Sequence, residues 1–300
     1  MQKEELFYPH RNFAGLPQQF SSFENCSVVI LPVPYEGTTE WRIGARNGPQ
    51  TIIEASQNLE LYDFELEQEI YRVGICTLPE VAPLMSGPKY MIQRIYEIAK
   101  DLLDKEKFIV TLGGEHSITL GIVRAFVERF EHICVLQLDA HADLRDQYLG
   151  TKYSYASVMR RIIDLCPIVQ VGIRSISLEE HQFIEERGIK PFYAKGVTLD
   201  RAFKDGLLSS LSPEVYITID LDVFDPSIMP AVTAPEPGGL NWQQILGILK
   251  VVAQERRVVG FDLVELCPAE GTNTCSFFAA QLAYKLIGYI SYFQNNPLLK

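Results

Sequence analysis

Acidic and imidazole side chains follow directly after an apolar stretch in the first half of the chain. Residues 133–138 are mostly apolar and run straight into Asp139, His141 and Asp143. If the chain stays extended, these three side chains project from the same face, because residues at i, i+2 and i+4 share a face of a strand. Two carboxylates around an imidazole at this spacing predict a metal-binding site.

Two further apolar stretches end in similar residues. Residues 215–219 precede Asp220 and Asp222, and residues 108–112 precede two glycines, Glu115 and His116. An isolated Asp-x-Asp pair is typical of a turn or helix cap, so each motif alone is weak. In an open α/β sheet, however, ligands bind at the carboxyl ends of the strands. We therefore expect all three motifs to meet at one edge of a sheet.

The predicted cluster carries too many carboxylates to remain unpaired. Neighbouring carboxylates repel each other and take up protons unless a cation is present. Two divalent ions would neutralise four carboxylates, and ligands that are nitrogen and oxygen without thiolate favour manganese. Such a centre lowers the pKa of a bound water, which predicts hydrolysis. The expected cofactor is two Mn²⁺, and the predicted metal ligands are His116, Asp139, His141, Asp143, Asp220 and Asp222.

Neither the remaining histidines nor any of the common catalytic motifs indicates a different reaction. His10, His132 and His181 stand in polar or terminal contexts, which predicts solvated or structural roles. The chain has no Gly-x-Ser-x-Gly elbow, Walker loop or Gly-x-Gly-x-x-Gly. A metal-activated water is therefore the expected nucleophile.

The elements that must position these residues alternate along the chain. Apolar stretches of strand length occur at 28–31, 108–112, 133–138, 167–173, 215–221 and 258–263. Helical periodicity or helix signals occur at 48–56, 91–105, 117–130, 154–165, 177–187, 241–255 and 276–293. Continuously apolar strands between helices predict a three-layer α/β/α sandwich with a mostly parallel sheet. No linker or repeat interrupts the pattern, so we expect a single domain over residues 1–300.

Composition excludes several classes of partner. The 300 residues carry a formal net charge of −11, which disfavours nucleic-acid binding because phosphate backbones are also negative. No apolar run reaches the roughly 18 residues needed to span a bilayer, and an acidic start is unlike a signal peptide. We expect a cytoplasmic protein. Its six dispersed cysteines predict buried thiols without a redox or zinc motif.

Four motifs together resemble the ureohydrolases, the family that includes arginase and agmatinase. They are GGEHS at 113–117, DAHAD at 139–143, IDLDVFDP at 219–226 and GFDLVE at 260–265. The resemblance extends over nearly the whole chain. It implies an arginase-like three-layer fold, two Mn²⁺, a homotrimer or homohexamer, and hydrolysis of a guanidinium group to urea and an amine.

The resemblance also implies a role for each matching residue. One manganese would be held by His116 and Asp143, and the other by His141 and Asp222. Two more carboxylates, Asp139 and Asp220, would bridge both ions. Glu265 would hold the guanidinium of the substrate, which agrees with the preference of a planar cation for a carboxylate.

Agmatine is the expected substrate, with putrescine and urea as products and a place in polyamine biosynthesis. The stretch 146–154 resembles agmatinases rather than arginases, and Arg174 is followed by Ser175 instead of the acid of arginases. The alternatives of aminopropylagmatine, a guanidino acid or arginine stay open, because few contacts set this specificity.

Two segments depart from the agmatinase pattern. Position 155 is a tyrosine where the resemblance implies a histidine that passes protons to the leaving amine. Tyrosine has an unperturbed pKa near 10 against roughly 6.5 for histidine, so Tyr155 exchanges protons less readily. Three explanations stay open: an introduced substitution that traps substrate, a natural enzyme that uses Tyr155 or water, and a paralogue that binds metal with little turnover. The second departure is 230–239, which replaces the usual Gly-Thr-Gly-Thr-Pro and forms part of the expected pocket wall.

Two other functional classes compete with this prediction. A dimetal phosphoesterase uses similar ligands but needs a basic group for phosphate, and the pocket segments offer acids instead. A non-catalytic metal-binding paralogue is the second, and Tyr155 is its main support.

Overall fold

A computed structural model describes residues 11–294 and contains a fully parallel eight-stranded sheet in the order β4-β1-β5-β10-β9-β6-β7-β8. Two short strands, β2 and β3, form a separate antiparallel hairpin. The strands are β1 Val28–Val33, β2 Tyr62–Asp63, β3 Gln68–Glu69, β4 Ile75–Thr77, β5 Phe108–Gly113, β6 Ile133–Leu138, β7 Ile168–Ile173, β8 Phe192–Tyr193, β9 Glu214–Asp220 and β10 Arg257–Val264.

Helices cover both faces of this sheet. They are α1 Gln18–Ser21, α2 Gly48–Ser56, α3 Pro88–Asp104, α4 Thr119–Arg129, α5 Val158–Ile162, α6 Leu178–Arg187, α7 Arg201–Ser210, α8 Trp242–Glu255 and α9 Asn273–Phe293. One group packs α9 against α2 and α8, and another packs α4 against α3 and α5. Among the helices of residues 11–294, none has both the length and the hydropathy required to cross a membrane.

The central strands are buried on both faces, which confirms the predicted three-layer α/β/α architecture. Every residue of β1, β5 and β6 is buried, and β9 and β10 are buried after their first residue. Their side chains therefore form the core on both sides of the sheet, which is why these strands read as continuous apolar runs. All six cysteines lie buried as free thiols, as their spacing predicted.

The predictions were wrong at several element boundaries. The strand expected at 215–221 ends at Asp220, because the carboxylate of Asp220 accepts a hydrogen bond from the Asp222 N–H at 2.9 Å and begins a 3-10 turn. The helix expected at 154–165 is a 3-10 turn, Tyr155–Ser157, followed by the short α5. Strands β4 and β8 were missed because two or three residues at a sheet edge show no periodicity.

Candidate metal centre

Four adjacent strands bring the predicted site residues to one edge of the sheet. At their carboxyl ends, β5 leads to His116, β10 to Glu265, β9 to Asp220 and β6 to Asp139. The turn after β5 requires glycine, because a Cβ atom on Gly114 would overlap the carbonyl group of Tyr35. The parallel order of the strands therefore gathers ligands that are far apart in sequence.

The segment after β6 does not stay extended, so the reasoning from strand geometry was wrong here. The strand ends at Leu138, and the His141 N–H donates to the Asp139 carboxylate at 2.6 Å. Asp143 adopts a left-handed backbone conformation with φ of 55°. Its carboxylate nevertheless lies 3.0 Å from Nδ1 of His116, so the turn still brings it to the cluster.

One candidate ligand group surrounds Nδ1 of His116. This atom lies 3.2 Å from Oδ2 of Asp139, 3.0 Å from Oδ2 of Asp143 and 3.5 Å from Oδ2 of Asp220. Although it is buried among carboxylates, Nδ1 makes no hydrogen bond to any of them. An imidazole nitrogen without a hydrogen bond and several carboxylate oxygens at such distances fit a cation between them.

A second candidate group shares Asp139 with the first. Nδ1 of His141 lies 2.8 Å from Oδ2 of Asp222 and 3.7 Å from Oδ1 of Asp139. Ligand atoms of Asp139, His141 and Asp222 all lie within 4.8 Å of one another, and so do those of Asp139, His116 and Asp220. The two groups could hold two ions with Asp139 between them.

A hydrogen-bond chain behind His116 sets which ring nitrogen faces the carboxylates. The Thr218 hydroxyl donates to Asp262 at 2.6 Å and lies 2.9 Å from Nε2 of His116. Because the hydroxyl proton is given to Asp262, Nε2 must be the donor to Thr218 in the neutral imidazole. Nδ1 then presents its lone pair to Asp139, Asp143 and Asp220, an arrangement that is repulsive without a cation and suited to a metal ligand.

Burial and mutual repulsion also shift the carboxyl groups of the cluster. Removal from water, together with the charge of Asp139, raises the pKa of Asp143 to about 7. Burial and the charges of Asp222 and Asp139 raise the pKa of Asp220 well above its usual value. Carboxyl groups that resist ionisation by themselves become good ligands when divalent cations compensate their charge, so the donor set fits the metal that the family implies.

Glu265 lies beside this cluster and is rigidly held. One carboxylate oxygen accepts a hydrogen bond from the backbone N–H of His116 at 2.6 Å, and the other accepts from the Thr233 hydroxyl at 2.5 Å. Burial raises the pKa of Glu265 to about 8. Its backbone is left-handed, with φ of 65°. Such a side chain can bind a cationic group that replaces the lost hydration.

Tyr155 lines the same cavity as several of the candidate ligands. The hydroxyl donates to the Glu40 carboxylate at 3.0 Å. Burial and the negative charge of Glu40 raise the pKa of Tyr155 far above its usual value. Sequence reasoning missed Glu40 because it follows β1 in a loop without any recognisable motif.

The site opens into a cavity of about 210 Å³. Its walls include predicted metal ligands, the proposed guanidinium carboxylate and two tyrosines, namely His141, Asp143, Glu265, Tyr148 and Tyr155. His132 and His181 are exposed elsewhere, in agreement with their predicted solvated roles. His10 lies outside the described residues.

Carboxylates and imidazoles meet here at the carboxyl edge of a parallel sheet. This arrangement is typical of metal-dependent α/β proteins. The family model of the Arginase family matches residues 26–288, and the chain belongs to this family. It is therefore a hydrolase that acts on guanidino groups.

Relatives in this family cover nearly the whole chain. The chain is 38% identical to N(1)-aminopropylagmatine ureohydrolase of Synechocystis sp., over 95% of this chain and 98% of the relative. It is 34% identical to agmatinase of Pyrococcus horikoshii, over 94% and 98% of the two chains. The solved structure of agmatine ureohydrolase of Thermoplasma volcanium superposes with a TM-score of 0.86 at 28% identity, covering 98% of both chains.

Proposed function

We propose that this protein hydrolyses agmatine to putrescine and urea with two Mn²⁺. The observation that carries this proposal is the pair of ligand groups that share Asp139, next to the buried carboxylate of Glu265. When bound, the two ions supply a water of lowered pKa as the nucleophile. The nitrogen and oxygen donors, with no thiolate among them, favour manganese over a structural zinc.

Each proposed ligand has a place in this arrangement. One ion is assigned to His116 and Asp143, and the other to His141 and Asp222. The remaining carboxylates, Asp139 and Asp220, would contribute to holding both ions. Support comes from the contacts of Asp139, which lies near both imidazoles, and from Nδ1 of His116, which has no hydrogen-bond partner.

Glu265 is proposed to orient the guanidinium group. A planar guanidinium donates two parallel hydrogen bonds to one carboxylate, which fixes the plane of the substrate. The hydrogen bonds from Thr233 and from the His116 N–H hold the Glu265 carboxylate before substrate arrives. Orientation of this kind contributes to catalysis because the electrophilic carbon is presented to the nucleophile at close range.

Departure of the amine requires a proton as the C–N bond breaks. We propose Tyr155 as a catalytic residue that donates a hydrogen bond in the cavity. Burial and Glu40 raise the pKa of Tyr155, so its phenol keeps its proton and cannot act as a base at neutral pH. The proton for the amine would come from the attacking water, which loses its protons as urea forms, and solvent water would carry it to the amine.

Aminopropylagmatine is the second candidate substrate. Two relatives with that name, from Synechocystis sp. and Thermus thermophilus, are 38% and 39% identical to this chain, against 34% for the agmatinase of Pyrococcus horikoshii. Glu40, which contacts two tyrosines of the cavity wall, is exposed, and we propose that a substituent beyond the amine of agmatine extends past it.

Urea release tests the proposed function directly. The assay uses Mn²⁺ and four separate guanidines: agmatine, aminopropylagmatine, arginine and 4-guanidinobutyrate. We expect turnover of agmatine or aminopropylagmatine. Asp139→Asn should abolish metal binding and activity together, whereas Asp164→Asn, at an exposed aspartate outside the site, should retain both. Full activity in Asp139→Asn would contradict the site.

The same assay separates the competing classes. Hydrolysis of phenyl phosphate without urea release would identify a phosphoesterase. Two bound Mn²⁺ with no turnover of any guanidine would identify a metal-binding paralogue.

We further propose that residues 1–300 form one domain and that the protein is cytoplasmic. A homotrimer or homohexamer of the 34.0 kDa chain is the proposed assembly, which light scattering of the purified protein measures.

A further inference from the structure

Three side chains from separate segments contact one another, and two of them line the cavity. The Glu40 carboxylate accepts a hydrogen bond of 2.5 Å from the Tyr148 hydroxyl and one of 3.0 Å from the Tyr155 hydroxyl. The two rings meet edge to face, with their centroids 5.7 Å apart. Both tyrosines line the cavity, so this group, which we call the Glu40 cluster, borders the space next to the proposed metal centre.

The Glu40 cluster carries negative charge without a cationic partner. No lysine, arginine or histidine of residues 11–294 lies within 4.0 Å of the Glu40 carboxylate. Arg145, which also lines the cavity, stacks on the Tyr148 ring at 5.2 Å instead of pairing with Glu40. Phenol hydroxyls orient a carboxylate but do not neutralise it.

The loop that carries Glu40 is held in place by hydrogen bonds with Glu115 and Tyr155. The buried carboxylate of Glu115 accepts hydrogen bonds from the N–H groups of Gly37 and Thr38, both at 2.7 Å. The Thr38 hydroxyl lies 3.3 Å from the N–H of Tyr155 and is its acceptor. The position of Glu40 is therefore fixed relative to the strand end that carries His116, which is a property of a preorganised binding group.

We infer that the Glu40 cluster is a subsite for the ammonium end of the substrate, and this inference rests on the proposed function. A carboxylate beside aromatic rings attracts an alkylammonium through charge and through the ring faces. It repels a carboxylate at the same position. The cluster thus selects guanidines that bear an amine at the far end of the chain over guanidino acids and over uncharged alkylguanidines.

A comparison of substrates on Glu40→Gln tests the subsite. The three substrates are agmatine, n-butylguanidine, which lacks the amine, and 4-guanidinobutyrate, which replaces it by a carboxylate. We expect Glu40→Gln to lower kcat/KM for agmatine about 10–100-fold, chiefly through KM, because the contact is made equally before and during reaction. Turnover of n-butylguanidine should fall less than that of agmatine, because only agmatine loses the contact of its ammonium group, and 4-guanidinobutyrate should improve.

One further variant is a control for the loss of a carboxylate, and another tests how much the position of Glu40 matters. Glu131→Gln removes an exposed carboxylate far from the cavity and should change none of the three substrates. Tyr148→Phe keeps the ring and loosens Glu40, so it should weaken agmatine less than Glu40→Gln does.

Two results would overturn the subsite. The first is an equal loss for agmatine and n-butylguanidine in Glu40→Gln, which would mark Glu40 as a support for the cavity wall. The second is a wild-type protein that does not prefer agmatine over n-butylguanidine. If the wild type releases no urea at all, the proposed function fails, and calorimetry of agmatine binding decides the subsite separately. Loss of agmatine affinity in Glu40→Gln would then support it, and equal affinity would refute it.

Discussion

A single buried carboxylate, Glu115, connects the turn that carries His116 with the loop that carries Glu40. It accepts hydrogen bonds from the Ser117 hydroxyl at 2.5 Å and from the Thr38 hydroxyl at 2.9 Å, in addition to two backbone N–H groups of the preceding loop. Burial raises the pKa of Glu115, and the four donors oppose that rise. Residues on both sides of the candidate site are therefore positioned by one side chain that is not itself a proposed metal ligand.

Substitution of Tyr155 distinguishes the three explanations for a tyrosine at this position. Tyr155→His introduces a group with an unperturbed pKa near 6.5, which exchanges protons readily at neutral pH. If the proton transfer limits turnover, urea release from agmatine should rise by about 10²-fold or more. Little change would show that Tyr155 or water suffices.

The control for this substitution is Tyr155→Phe, which retains the ring and removes the hydroxyl from Glu40. It should lower kcat for agmatine if the hydroxyl takes part in the reaction. Unchanged kinetics in Tyr155→Phe would contradict a catalytic role for Tyr155.

The two side chains that support His116 lie on neighbouring strands, β9 and β10. Thr218 of β9 lies opposite Asp262 of β10 in the register of the sheet. Asp262 accepts hydrogen bonds from Thr218, Thr119 and Tyr216, so it is satisfied in the core although it is fully buried. The pairing of two strands thereby favours one tautomer of a histidine in the turn that follows a third strand, β5.

Asp262→Asn should weaken metal binding without removing a ligand. The asparagine can donate to Thr218 and so release the constraint on His116, and disturbance of such a supporting group typically costs about 10–100-fold in metal affinity. Calorimetric titration of the metal-free protein with Mn²⁺ measures the change. Tyr216→Phe removes another hydroxyl from Asp262 and should leave Mn²⁺ affinity nearly unchanged, whereas equal losses in both variants would indicate general damage to the core.

The β2–β3 hairpin is attached to α9 through a buried ion pair. Lys285 Nζ lies 2.7 Å from Oδ2 of Asp63 and 2.6 Å from Oε2 of Glu65. Glu65 also pairs with the more exposed Lys250 at 2.7 Å. Although burial opposes it, hydrogen bonds from Lys250 and Lys285 lower the pKa of Glu65 to about 2.

Lys285→Met should lower the free energy of unfolding by about 3 kcal/mol, because it leaves the buried carboxylate of Asp63 without a cationic partner. Lys250→Met, at a position that is only half-buried, should cost about 1 kcal/mol or less. Since the pKa of Glu65 is depressed, its ion pairs stabilise fully above its ordinary value of 4.5 and are lost as the pH falls towards 2. Urea denaturation should therefore show the difference between wild type and Lys285→Met shrinking over that range. A difference that does not depend on pH would contradict the ion pair as its cause.

The whole molecule combines a net charge of −11 with a concentration of carboxylates at one sheet edge. Charge repulsion at this edge opposes folding unless cations are bound, so metal binding and stability are linked. A cationic substrate is attracted by the same field, whereas an anionic one is repelled. The acidic surface and the proposed amine-bearing substrate are thus consistent with each other.

Chelation should lower the thermal unfolding midpoint by about 5 °C, and an excess of Mn²⁺ should restore it. The physical reason is that the metal binds only the folded arrangement of ligands. Asp139→Asn should show no difference between chelator and Mn²⁺, which serves as the control. A wild-type midpoint that is insensitive to chelator would contradict the proposed centre.

The sequence by itself determined the architecture and the cluster of metal-ligand candidates. Continuous apolar strands between helices predict a covered parallel sheet, and residues such as Asp139 and Asp220 follow their strands directly in the chain. These features are local, because strand ends in a parallel sheet share one edge whatever the strand order. The expectation of an extended segment at 139–143 failed, since hydrogen bonds of the Asp139 carboxylate turn the chain there.

Only the tertiary structure decided which groups support and border the site. The contact between Thr218 and Asp262 depends on the pairing of β9 with β10, and Glu40 meets Tyr155 across 115 positions of the chain. Lys285 likewise meets Asp63 across 222 positions. Such contacts arise from the order of strands and the paths of loops, which no periodicity or spacing within a single segment encodes.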